Sequence, residues 1–119
     1  MEVRILIVED EPLVAFDLEA TLSDAGFSIV GVAGRSNEAL ALIGKNNIDV
    51  AVLDANLSGE SAAPVAEALR QSGVPFVAVS GYSYDQLGSW LGDSPLLSKP
   101  YSSERLISEV TRLRQAKDA

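Results

Sequence analysis

Three stretches of this chain are apolar at nearly every position: "VRILIV" (3–8), "IDVAVLD" (48–54) and "VPFVAV" (74–79). Side chains of a strand point alternately to opposite faces, so a strand with one wet face shows a period of two. These runs show none. A strand that is apolar throughout must be covered on both faces, which points to a parallel sheet flanked by helices. The intervening segments supply those helices. "PLVAFDLEATLSDAG" (12–26) carries Val14, Leu18, Leu22 and Ala25 at helical spacing, with Pro12 suited to the first turn and Gly26 to the C-terminal cap. "FSIVGVA" (27–33) reads as the second strand, and Ser36 is expected to cap "NEALALIGK". "APVAEALRQSG" (63–73) forms a third helix closed by Gly73, and "PLLS" (95–98) a fifth strand. The last helix is expected from about Ser102 to Lys117, with Leu106, Ile107, Val110 and Leu113 on one face. Arg112, Arg114 and Lys117 complement the helix dipole at its end.

Five strand–helix units in 119 residues fit an α/β doubly wound fold, flavodoxin-like (βα)5, with parallel sheet order 2-1-3-4-5. One unit is weak. "GYSYDQLGSWLGDSP" (81–95) holds three glycines, and only Leu87, Trp90 and Leu91 share a helical face, so the fourth helix is expected to be reduced or replaced by a loop. Residues 1–119 are expected to form one domain.

Composition removes several function classes. The chain has no cysteine, hence no disulfide framework and no thiolate metal site, and no histidine, hence no imidazole ligand or base. A formal charge of −8 opposes nucleic-acid binding, which needs clustered Lys and Arg. No window approaches about 18 apolar residues, so no membrane span is expected. The N-terminus has no signal-peptide pattern, and a cytoplasmic location follows as the expectation.

The residues that leave the strands carry the chemistry. "LIVEDEP" (6–12) sets Glu9, Asp10 and Glu11 in a row directly after the first strand. The third strand ends in Asp54, the fourth in Ser80 and the fifth in Lys99-Pro100, while the second ends blandly at Ala33 and Gly34. In open α/β sheets ligands bind outside the carboxyl ends of the strands. With strands one and three adjacent, Glu9, Asp10 and Asp54 converge on one spot. Clustered carboxylates repel unless a cation or a proton is shared. An all-oxygen donor set selects a hard cation, Mg²⁺ before Zn²⁺, and Mg²⁺ leaves room for phosphate oxygens. Ser80 can donate a hydrogen bond, and Lys99 a positive charge, to such a phosphoryl group. Taken singly, each residue has a plainer reading: a solvated loop acid, an aid to the start of the first helix, a turn serine before Gly81, an exposed amine. The functional reading gains weight because all the strands expected to meet at one crevice carry matching chemistry.

"LIVEDEP", "VAVLDANLSG", "VAVSGY" and "LLSKP" resemble, in order and along nearly the whole chain, the four signature blocks of response-regulator receiver domains of two-component signalling. The resemblance implies that Asp54 accepts a phosphoryl group from a phosphohistidine on a partner histidine kinase. It implies that Asp10 and Asp54 hold Mg²⁺ directly, Glu9 through water, and Asn56 through its backbone carbonyl. Ser80 would follow the phosphoryl group, Lys99 would pair with it, and the Lys99-Pro100 bond would be cis. Such a domain is a phosphoacceptor rather than an enzyme, promoting only its own phosphotransfer and dephosphorylation. It switches conformation to regulate a downstream protein, as a monomer or weak dimer. Leu96 stands where most receivers place an aromatic switch residue, three positions before the lysine. "PFVAVSGY", "DANLSGES" and the short fourth unit are similar to the receiver branch called FATGUY, a single-domain response regulator, with Val79 and Ser80 where Ala and Thr are expected.

Other classes fit less well. An FMN module of this fold needs a Ser/Thr/Gly-rich cradle where Glu9, Asp10 and Glu11 stand. A dehalogenase-type phosphatase places its nucleophilic Asp after the first strand, with a second Asp two residues on, whereas Asp54 follows the third strand and precedes Asn56. A receiver-like adaptor that is never phosphorylated has no need of the complete set of acids, Ser80 and Lys99.

Overall fold

The computed structural model describes residues 2–57, 59–81 and 89–118, with only the backbone at Ser89, Lys117 and Asp118. Its elements are β1 (Arg4–Val8), α1 (Pro12–Asp24), β2 (Ser28–Ala33), α2 (Ser36–Lys45), β3 (Val50–Asp54), β4 (Asn56–Leu57), β5 (Glu60–Ser61), α3 (Ala63–Gln71), β6 (Phe76–Ser80), a 3-10 turn (Ser89–Leu91), β7 (Leu96–Ser98) and α4 (Ser103–Asp118). Five strands form one parallel sheet in the order β2-β1-β3-β6-β7. This is the 2-1-3-4-5 arrangement expected from the alternation of strands and helices. Between β6 and β7 the described residues hold only the 3-10 turn, and 82–88, with Leu87, lie outside the described residues.

The continuous apolar runs are explained by a core on each side of the sheet. Leu6, Val8, Ala51 and Leu53 face one side, in a cluster with Ala39 of α2 and Leu69 of α3. Ile5, Ile7, Val50 and Val52 face the other, in a cluster with Leu22 of α1 and Val110 of α4. Alternate residues of one strand thus enter different cores, and none is left wet. The edge strand β2 differs: its residues are mostly half-buried, and its register against β1 shifts between Ile5 and Leu6.

Several local expectations are corrected. Ser36 does not cap α2; Arg35 occupies that position, Ser36 is the first helical residue, and its buried Oγ makes no hydrogen bond. Ala25 is exposed because α1 ends at Asp24, where the backbone N–H groups of Ala25 and Gly26 close the last turn. Ala15 is buried near the start of the helix, while the neighbouring Val14 is partly buried against the core on that side. Ser102 precedes α4 and accepts the N–H of Arg105 at 3.1 Å, which places a hydroxyl cap one residue ahead of the helix. The β4–β5 hairpin between Asp54 and α3 was not foreseen; Gly59, with φ +85°, makes its turn.

The two-sided core makes a prediction about neighbours. Leu6→Ala and Ile7→Ala, both at fully buried positions, should each destabilise the fold by about 2–5 kcal/mol in urea unfolding. In a strand with one solvated face, one of two adjacent substitutions would be nearly neutral.

Candidate functional site

Four parallel strands deliver polar residues to their carboxyl ends. Val8 pairs with Leu53 across β1 and β3, so Glu9 and Asp54 leave the ladder side by side. Asp54 pairs with Val79, and Ser80 with Ser98, which brings Ser80 and Lys99 to the same edge. Lys99 also joins β6 through its backbone, its N–H donating to the Ser80 carbonyl at 2.8 Å, and the Lys99-Pro100 bond is cis. Glu9, Asp54 and Ser80 are the buried polar side chains among the described residues.

The acids meet. One carboxylate oxygen from each of Glu9, Asp10 and Asp54 lies within 4.8 Å of the others. Glu9 Oε2 accepts the backbone N–H of Glu11 at 3.2 Å, whereas the buried Oε1 accepts no hydrogen bond and lies 4.0 Å from Lys99 Nζ. Asp54 Oδ1 accepts the N–H of Asn56 at 3.1 Å, which fixes the rotation of that carboxylate. The Asn56 side chain is engaged in its own hairpin, its Oδ1 accepting the Gly59 N–H at 2.9 Å. Glu11 points away into solvent.

Burial pushes the Glu9 carboxyl up from the usual 4.5 to about 7; Asp54 adds to this through a shared proton and through repulsion, while the Glu11 N–H and Lys99 act in the opposite sense. The cluster therefore carries one carboxylate more than it can hold ionised without help. A divalent cation fits this deficit: the donors are all oxygens, and the buried Oε1 of Glu9 has no hydrogen bond, only the distant charge of Lys99. The site reaches further than the sequence suggested. Tyr101 is pushed up to about 12 by burial and by the charges of Glu9, Asp17 and Asp54, so its hydroxyl remains protonated beside the acids. Its position two residues after Lys99 was the one available signal. A cavity of about 450 Å³ beside Asp10 is lined by Arg35 and Glu38 from one loop and helix and by Leu57 and Glu60 of the hairpin.

A parallel doubly wound sheet with three carboxylates, a serine and a lysine at its carboxyl edge defines a class of phosphoryl- and cation-binding modules. Comparison with known proteins narrows this to a family. The model of the response regulator receiver domain matches residues 5–111, and the chain belongs to that family, the receiver domains of two-component phosphorelay signalling. Among its relatives, the sensory transduction protein RegX3 of Mycolicibacterium smegmatis is 34% identical over 110 residues, covering 89% of this chain and 48% of that protein. The transcriptional regulatory protein DltR of Streptococcus agalactiae is 31% identical over 116 residues, covering 93% and 51%. The chain thus spans about half the length of these relatives. A crystal structure of a response regulator receiver protein from Sinorhizobium medicae superposes with a TM-score of 0.88 at 30% identity, covering 98% of this chain and 97% of that one. No helix among the described residues is long and apolar enough to cross a membrane.

The raised carboxyl gives a pH signature without metal. Between 4.5 and about 7 the folded protein holds a proton on Glu9 that the unfolded chain has released. Fewer protons bound in the unfolded state make stability fall as pH rises through that window. Urea midpoints measured in a chelator should decline from pH 5 to pH 7.5, and Glu9→Gln should flatten this part of the curve.

Proposed function

We propose that residues 1–119 act as one receiver domain in which Asp54 takes a phosphoryl group from the phosphohistidine of a histidine kinase. The supporting observation is the position of Asp54: it is 92% buried, rotationally fixed by Asn56, and gathered with Glu9 and Asp10 around a buried carboxylate oxygen that has no hydrogen bond. Mg²⁺ would be held by Asp10, Asp54 and the backbone carbonyl of Asn56 directly and by Glu9 through water; when bound, it neutralises charge on the transferring phosphoryl oxygens.

The residues of the chain do the rest. An Asp54 carboxylate oxygen attacks phosphorus, the O–P bond forms as the P–N bond breaks, and the electron pair returns to the donor imidazole nitrogen. Lys99, within 4.0 Å of Glu9, brings a positive charge to the phosphoryl oxygens, and the Ser80 hydroxyl donates to one of them. The burial of Glu9, Asp54 and Ser80 excludes water and strengthens each of these interactions. The donor approaches over the start of α1, which follows the acid cluster directly and exposes two large apolar residues, Leu13 (78% exposed) and Phe16 (71%).

The finer reading is a FATGUY-like single-domain response regulator, cytoplasmic, monomeric or weakly dimeric, that regulates a downstream protein and does not bind nucleic acid. The 3-10 turn at Ser89–Leu91, the one helical element among the described residues between β6 and β7, Leu96 at the site usual for an aromatic, and the charge of −8 support it. The domain acts as a phosphoacceptor rather than as an enzyme on other substrates.

Incubation with acetyl phosphate, or with phosphorylated kinases of the source organism, should give one acid-labile phosphate that depends on a divalent cation. Asp54→Ala should abolish it; a Mg²⁺-dependent phosphate that survives in this variant would refute the assignment. Phe16→Asp should slow transfer from the kinase at least tenfold while leaving acetyl phosphate labelling unchanged.

A further inference from the structure

Arg70, on the last turn of α3, makes two contacts that phosphoryl transfer does not use. Its Nη2 donates to the Leu91 carbonyl at 2.8 Å, and its Cζ lies 5.3 Å from the centroid of the Phe76 ring. Each contact leads towards the acceptor site. Phe76 begins β6, the strand that ends in Ser80. Leu91, almost fully buried, ends the 3-10 turn on the connection that leaves Ser80 for β7. The backbone beside the guanidinium leaves room for it: Gly92 has φ +56°, and a Cβ built there would come within 3.0 Å of Arg70 Nη2. At its other end α3 joins Asp54 through the β4–β5 hairpin alone. One side chain therefore ties both ends of the Ser80 strand–turn unit to the helix that follows the acceptor.

We propose that Arg70 is an autoinhibitory latch, holding β6 and the Trp90–Leu91 turn against α3 in the resting arrangement and opposing the movement of Ser80 towards a phosphoryl group on Asp54. This rests on the reading of Asp54 as phosphoacceptor. A contact made fully in one of two states biases the equilibrium between them by its own free energy, and linkage makes the effect reciprocal. A charged donor on a carbonyl and a cation over an aromatic face, made by a side chain that is itself exposed against buried partners, are each worth a factor of a few in an equilibrium constant. The latch thus lowers the affinity of the site for a phosphoryl group although Arg70 does not touch it.

The test is the binding of beryllofluoride, a phosphoryl mimic, at saturating Mg²⁺. Trp90, the single tryptophan, is partly buried on the α2–α3 side and reports the midpoint by its emission. Arg70→Met keeps the apolar stem and loses the donors; it should bind beryllofluoride about three- to tenfold more tightly with an unchanged Mg²⁺ midpoint. Arg70→Lys should fall between Met and wild type, and it carries the test should Arg70→Met fail to fold by circular dichroism. Beryllofluoride midpoints equal to or weaker than wild type in the folded variants, whatever their urea stability, would overturn the latch alone. A wild-type protein that binds no beryllofluoride would overturn the Asp54 reading and the latch with it.

Discussion

Repulsion among the carboxylates of Glu9, Asp10 and Asp54 is the constraint around which the rest of the structure is arranged. A parallel sheet covered on both faces places its strand ends in a crevice where Glu9 and Asp54 are buried, and three acids there cannot all remain ionised without a counter-charge. The fold lessens the conflict only in part. The Glu11 N–H supports one oxygen of Glu9, the Asn56 N–H supports one of Asp54, and Lys99 stands at 4.0 Å. What is left over appears as a glutamate shifted to about 7 and an oxygen without a hydrogen bond. Residual destabilisation of this kind is expected where binding, rather than folding, sets the residues.

Sheet and helices divide the labour. The strands contribute almost nothing but apolar side chains to the two cores, so their polar residues fall at the strand ends, and those of the site at the carboxyl ends, where the chain turns out of the sheet. The helices differ in their exposure. α1 turns Leu13 and Phe16 outward beside the acids, while α3 spends Arg70 on the 3-10 turn and on Phe76. In the proposed mechanism, approach of a donor and relay of its effect therefore use different faces of the sheet.

Much of this was legible in the sequence, because it depends on period and position. The apolar runs gave the strands, Pro12, Gly26 and Gly73 marked helix ends, and strand order brought Glu9, Asp10, Asp54, Ser80 and Lys99 to one edge. The features that escaped depend on three-dimensional neighbours. Ser36 looks like a cap because serine prefers that role, but the chain enters α2 one residue earlier, and Arg35 takes the extended cap conformation. Asn56–Leu57 and Glu60–Ser61 are too short to show any period as strands, and only the turn at Gly59 hints at their pairing. Tyr101 and Arg70 are ordinary side chains until burial and strand register set them beside the acids and the 3-10 turn.

The central claim is that the acid cluster opposes folding and is held together by a divalent cation. Urea unfolding of wild type and Asp54→Asn, each in chelator and in saturating Mg²⁺, tests it most directly. In chelator the Asn variant should be the more stable by about 1–3 kcal/mol, since it removes one charge from a crowded, buried site. With Mg²⁺ the order should reverse, because only wild type offers the third carboxylate to the ion. A wild-type protein that is the more stable under both conditions would contradict the account.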